Sequence, residues 1–75
     1  MAYGYSVKLV QANANADSSM LGVKLGRKCI SNNIPVTAVA KHFDVSRQTI
    51  YNWFCGVYAP QKHIALAVHT YLLAE

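Results

Sequence analysis

The sequence predicts an all-α fold, a compact domain of four or five helices, on three observations. Seventy-five residues suffice for one hydrophobic core and leave no room for a second. Apolar residues make up 53% of the chain and charged residues only 13%, which is typical of a packed globule. Over residues 18–75, apolar positions recur three and four apart, and Ser, Gly and Pro stand where helices begin and end.

Residues 1–17 form an N-terminal segment whose structure the sequence leaves open. Apolar residues alternate with small or polar ones from Tyr3 to Leu9, which suits a strand. The stretch "VKLVQANANA" equally fits a short helix capped by Ser6. Because a lone strand has no evident partner in this chain, we favour a helical turn.

The first helix of the domain is predicted over residues 18–31, capped by Asp17 or Ser18. One stripe of this helix is apolar: Leu21, Leu25 and Cys29. Gly22 and Gly26 each weaken the helix by about 1 kcal/mol relative to Ala. Because they lie four residues apart on one side, they also allow another helix to approach closely.

A second helix follows the loop "SNNIP", with Pro35 at or just before its start. Its buried stripe has helical spacing: Val36, Val39, Ala40 and Phe43. A tight turn through Asp44 and Val45 leads to Ser46, which is a good N-cap for a third helix. That helix is predicted to end at Gly56, in the left-handed conformation common after a helix C-terminus.

The final helix is predicted from about Gln61 to Leu73, with Pro60 in its first turn. One stripe is suited to close the core: Ile64, Val68, Tyr71 and Leu72. Leu66 and Leu73 project elsewhere, with Ala65 and His69 nearby, so the helix is apolar over more than one face. This pattern predicts a homodimer. The alternative is that residues 1–16 fold back over the surplus face.

The third helix, residues 46–55, divides into two arcs. At 100° per residue, Ile50, Trp53 and Phe54 share one arc and dock on the second helix. The opposite arc carries Arg47, Gln48, Tyr51 and Asn52. A helix presented with this arc outward fits the DNA major groove, and its N-terminal residues then meet base edges. The alternative is a merely solvated face, but such faces favour Glu and Lys, which this helix lacks.

The stretch "VTAVAKHFDVSRQTIYNWFCG", residues 36–56, resembles the helix-turn-helix of phage Cro and repressor proteins (XRE-like), which also occurs in small bacterial regulators. The matching positions are the small Ala40, the turn residue Val45 and the anchors Ile50 and Trp53. "WFCGVYAP" also resembles the family's W-x-x-G-x-x-x-P ending. The family usually has Gly in the turn where this chain has Asp44, a mild departure because Asp tolerates left-handed backbone. The likeness covers residues 36–60, is looser over 20–35 and does not reach the N-terminus.

The resemblance implies a lambda-repressor-like fold and a set of DNA contacts. Arg47, Gln48 and Asn52 are the implied base-contacting residues, and Tyr51 is a thymine-methyl or phosphate contact. The resemblance also makes Ser46 and Thr37 candidate phosphate contacts. Lys62 and His63 are candidates by their position in the loop and first turn after the third helix, and Lys41 is a further candidate. Lys41 is equally well explained as a solvent-facing residue.

The charge distribution favours a polyanionic partner. Net charge is +4, and between residues 18 and 62 six basic residues stand against Asp44 alone, which gives that segment +5. The alternative is charge that serves solubility only. The sequence thus predicts a sequence-specific double-stranded DNA-binding protein, a transcriptional regulator of phage or bacterial type. Its alternatives are a protein-binding adaptor, for example of RNA polymerase or another regulator, and a DNA-packaging or replication protein.

Other classes lack their signatures. Cys29 and Cys55 have no CxxC spacing, so we expect free thiols, no metal site and no cofactor. No triad, paired acids or phosphate-binding glycine loop is present, so an enzyme is not expected. No apolar run approaches the roughly 20 residues of a membrane span, and the first residues do not form a secretion signal. The expected location is the cytoplasm, that of the host cell if the protein is phage-encoded.

Overall fold

The computed structural model describes residues 5–74, which form five α-helices and, within that range, no strand. The helices are α1 (Val7–Asn15), α2 (Leu21–Ser31), α3 (Val36–Phe43), α4 (Arg47–Phe54) and α5 (Lys62–Leu73). The predicted all-α class is therefore confirmed, and the structure has the fifth helix. None of the helices in the described part of the chain is both long and apolar enough to cross a membrane.

The N-terminal segment is helical, as the capping pattern suggested. The Ser6 hydroxyl oxygen accepts a hydrogen bond from the Leu9 amide at 3.1 Å, which satisfies one of the free donors at the start of α1. At the other end of α1, the Arg27 guanidinium donates to the carbonyl oxygens of Ala14 and Ala16. The strand alternative is thus wrong for the described residues; Tyr3 lies outside them.

The start of α2 corrects the sequence prediction. The helix begins at Leu21, about three residues later than predicted, and neither Asp17 nor Ser18 caps it. The Asp17 carboxylate instead accepts from the amide and the hydroxyl of Ser19, at 2.9 and 2.7 Å. These two hydrogen bonds lower the pKa of Asp17. Asp17, which was predicted to cap the helix, therefore forms hydrogen bonds within a local turn instead.

The two glycines of α2 allow α4 to pack closely against it, as predicted. A Cβ atom added at Gly22 would lie 2.7 Å from both the Cβ and the carbonyl oxygen of Trp53. One added at Gly26 would lie 2.8 Å from the Phe54 ring and 2.6 Å from the Asn13 amide nitrogen. Since these distances are below any real Cβ contact, only glycine fits at this crossing.

The connection between α3 and α4 also follows the sequence. All four residues of the predicted α3 stripe are buried: Val36, Val39, Ala40 and Phe43. Asp44 takes the left-handed conformation at φ 55°, and the Val45 amide then donates to the carbonyl oxygen of Ala40 at 3.0 Å. The Ser46 hydroxyl oxygen caps α4 by accepting from the Thr49 amide at 3.1 Å. Gly56, at φ 74°, ends the turn that follows α4.

The last helix packs against α2 and closes the core. It begins at Lys62 after the N-cap Gln61, so Pro60 lies before the helix and not in its first turn as predicted. Val68 is fully buried, and Ile64, Tyr71 and Leu72 pack against the core as predicted. The Lys28 ammonium donates to the carbonyl oxygens of Tyr71 and Leu72, which stabilises the C-terminal end of α5.

The second apolar face of α5, which carries Leu66 and Leu73, is exposed to solvent in this structure. Leu66 is 73% exposed and Leu73 is 85% exposed. Residues 5–16, which the alternative would fold over this face, leave these two side chains uncovered while α1 packs against α2. That alternative is therefore wrong for the described residues.

Candidate nucleic-acid interface

The two arcs of α4 differ in burial as the sequence predicted. Ile50 and Phe54 are fully buried and Trp53 is nearly so, and together they join α4 to α2 and α3. On the other side, Arg47, Gln48 and Tyr51 are exposed and Asn52 is half-buried. The buried arc fixes the rotation of α4, so the polar arc is held outward on a rigid element.

Three polar side chains on this side of α4 form a chain of hydrogen bonds. The Gln48 amide nitrogen donates to the Asn52 amide oxygen at 3.3 Å, and the Asn52 amide nitrogen donates to the Tyr58 hydroxyl at 3.2 Å. Both the oxygen and the nitrogen of the Asn52 side-chain amide are therefore held in place by hydrogen bonds. The side-chain amide oxygen of Gln48 remains available for a partner. Side chains held in this way lose less entropy on binding.

Sequence reasoning did not single out Tyr58. Its contact depends on the left-handed Gly56, which turns the chain so that Tyr58 comes beside Asn52, six residues earlier. The only available signal was an aromatic residue shortly after a glycine that ends a helix. Tyr58 is 46% exposed, so it borders the polar arc and remains accessible to a partner.

The Ser46 hydroxyl already makes hydrogen bonds within α4. Besides the bond from the Thr49 amide, its hydroxyl lies 2.9 Å from the Thr49 hydroxyl. The predicted phosphate contact by Ser46 would have to share these bonds. Ser46 remains exposed, as a residue at the N-terminal end of α4 must be to reach a phosphate.

The other predicted phosphate contacts lie on the helices before and after α4. Thr37 is the second residue of α3 and Lys41 lies in its last turn, while Lys62 and His63 are the first two residues of α5. All four side chains are exposed. The structure thus brings Arg47, Gln48, Tyr51 and Asn52 together on one helix, and it places the other four residues on α3 and α5.

Two basic residues of the positive segment make hydrogen bonds within the protein. Arg27 binds carbonyl oxygens at the end of α1, and Lys28 binds those at the end of α5. Three of these four bonds lie among partly buried groups. Both positive charges lie at helix C-termini, where the helix dipole favours a cation. The remaining basic side chains of the segment are exposed: Lys24, Lys41, Arg47 and Lys62.

A groove runs between α1 and α4, beside the polar arc. Its walls are Ser6, Lys8, Leu9 and Ala12 from α1 and Gln48, Tyr51 and Cys55 from α4. The family resemblance does not extend to α1, so sequence reasoning gave no indication of this groove. It brings the single basic residue of α1 next to two predicted base-contacting residues.

Both cysteines are free thiols, as predicted. Burial raises the pKa of Cys29 to about 11, and it also raises the pKa of the half-buried Cys55. Both side chains therefore stay protonated at neutral pH and are poor nucleophiles. Within residues 5–74, no group of three or more His, Cys, Asp or Glu side chains is arranged to hold a metal ion.

Comparison with family models, with curated proteins and with solved structures finds no match for this chain. Function is therefore inferred from the residues and their arrangement.

Proposed function

We propose that this protein binds double-stranded DNA in a sequence-specific manner and acts as a small transcriptional regulator of phage or bacterial type. In this proposal α3 and α4 work as a helix-turn-helix, and α4 enters the major groove. The observation that carries it is the polarity of α4. Its apolar arc is locked into the core, and Arg47, Gln48 and Asn52 face the other way.

The chemistry of the polar arc suits base edges. The Arg47 guanidinium matches the two acceptors of guanine. The side-chain amides of Gln48 and Asn52 match the donor and acceptor of adenine through the second N–H hydrogen and the oxygen lone pair that their own hydrogen bonds leave free. Each such pair contributes about 1–3 kcal/mol of discrimination against a wrong base. Tyr51 is exposed on the same arc, where its ring is suited to a thymine methyl group.

The flanking residues would position the protein without selecting sequence. Thr37 and Ser46 lie at the N-terminal ends of α3 and α4, where free amide groups and the helix dipole favour a phosphate. Lys41, Lys62 and His63 are exposed on the neighbouring helix ends. Such contacts fix the register of a protein on the duplex.

The proposed binding unit is a homodimer. One domain contacts only a few base pairs, and two copies on half-sites about one helical turn apart are the common remedy. The exposed Leu66 and Leu73 on α5 supply an apolar surface for the second copy.

A protein-binding adaptor is the second candidate, and one observation favours it. Val57 is 67% exposed and Tyr58 46% exposed, directly after α4. Tyrosine is enriched among protein-binding hot spots, and the exposed Val57 adds apolar surface beside Tyr58. DNA binding remains the better explanation because the exposed face of α4 itself carries Arg47, Gln48 and Asn52.

The test begins with selection of bound sequences from a pool of random duplexes, followed by competition between the selected site and random DNA. We expect Arg47→Ala, Gln48→Ala and Asn52→Ala each to weaken the selected site much more than random DNA. Lys62→Ala should weaken both about equally. The logarithm of the binding constant should fall with the logarithm of salt concentration at a slope of about −0.9 per neutralised phosphate.

Two results would contradict the proposal. Binding that is unchanged between low and high salt would exclude phosphate contacts, and a pool that yields no preferred sequence would exclude base recognition. Capture of a protein partner that is lost in Tyr58→Ala, but kept in Arg47→Ala, would favour the adaptor instead.

A further inference from the structure

A second helix, α1, borders the same groove as α4. Lys8, near the start of α1, borders the same groove as Gln48, near the start of α4. Asn13, near the end of α1, donates to the carbonyl oxygen of Phe54, at the end of α4. The groove therefore lies between the two helices, and Asn13 ties α1 to the end of α4.

The groove between α1 and α4 has the chemistry of an anion site. It is an open groove with a volume of about 760 Å³, and none of its seven lining residues is acidic. Lys8 brings a full positive charge, and Ser6, Gln48 and Tyr51 bring hydrogen-bond donors. The Ser6 oxygen already accepts from the Leu9 amide, which leaves its O–H to donate outward. The Cys55 thiol adds no negative charge, because burial raises its pKa.

From this arrangement we propose that the groove between α1 and α4 holds one sugar–phosphate strand of the duplex whose bases α4 contacts, with Lys8 as a phosphate contact. The inference rests on the proposed function and extends it to a helix outside the helix-turn-helix. A helix inserted in a major groove about 12 Å wide has a strand along each of its sides. On the α1 side of α4 that strand meets Lys8 and the hydroxyl groups of Ser6 and Tyr51.

The first experiment measures how binding to the selected duplex depends on salt for the wild type and three variants. Lys8→Ala should reduce the steepness of the salt dependence by about 0.9, because one phosphate contact is lost. It should weaken binding to selected and random duplexes by the same factor. Lys8→Arg should keep the wild-type slope. Lys24→Ala, which removes the same charge from an exposed site on α2, should also keep it.

We expect the Lys8→Ala variant to fold like the wild type, so the difference in salt dependence reports on DNA binding. Lys8 is an exposed residue of α1, and alanine is at least as good a helix former, so the variant keeps its helix. A second readout locates the contact on the DNA. Ethylation of one particular phosphate should weaken binding of the wild type and of Lys24→Ala, and should have no effect on binding of Lys8→Ala.

The outcomes separate the two proposals. If the wild type binds the selected duplex, but Lys8→Ala and Lys24→Ala show equal slopes and the same ethylation pattern, the groove contact is wrong and the proposed function stands. If the wild type binds no duplex at any salt concentration, the proposed function fails and this inference fails with it.

Discussion

The side-chain amide of Asn13 donates to the carbonyl oxygen of Phe54 at 2.7 Å and to that of Val23 at 3.2 Å. Asn13 is only 3% exposed, and it is the buried polar side chain of the described core. One side chain therefore joins α1 to both α2 and α4. This pair of bonds helps to hold the N-terminal helix beside the proposed DNA-binding helix.

Asn13→Ala should lower the free energy of unfolding by about 1–3 kcal/mol, because buried carbonyl groups lose a partner. Denaturant unfolding measures this change. Asn15→Ala, on the exposed side of the same helix, is the matched control and should change stability little. Equal effects of the two substitutions would show that the Asn13 bonds contribute nothing specific.

Gly22→Ala should destabilise the protein although alanine favours a helix by about 1 kcal/mol. The added Cβ would meet the backbone of Trp53, which cannot rotate away, and overpacking of this kind costs about 1–3 kcal/mol. Thermal unfolding measures the net change. Lys24→Ala, at an exposed position of the same helix, should be neutral. A stabilised Gly22→Ala variant would mean that α4 lies farther from α2.

Tyr58→Phe should reduce base discrimination more than affinity for random DNA. The substitution removes the hydroxyl that accepts from the Asn52 amide, and a net hydrogen bond of this kind contributes about 1 kcal/mol. A double-mutant cycle with Asn52→Ala measures the coupling. If Tyr58→Phe has the same effect with and without Asn52, Tyr58 does not act by orienting that side chain.

Leu66→Glu should convert a dimer to a monomer, because it places a charge in the proposed apolar contact. Sedimentation at micromolar concentration, with and without the selected duplex, measures the state of assembly. Gln11→Glu on the exposed side of α1 is the control for added negative charge and should leave the dimer intact. A wild-type protein that is monomeric both free and on DNA rules the dimer out.

The sequence by itself determined the elements whose signals are local. Ser6 and Ser46 predicted helix starts because their hydroxyls satisfy nearby amides, and Gly56 predicted a helix end because glycine adopts the left-handed conformation freely. Helical spacing likewise predicted which side of α4 is buried. Each of these signals acts over a few residues.

Where two local signals compete, as at Asp17, the sequence did not decide between them: Asp17 binds Ser19 and does not cap α2, which starts later. Only the tertiary structure decided which distant residues meet. The bonds of Asn13 to Phe54 and of Lys28 to the end of α5 join residues more than 40 positions apart. Such contacts depend on how helices pack and leave no periodic pattern in the chain. For the same reason, the sequence did not predict the groove between α1 and α4 or the position of Lys8 in it.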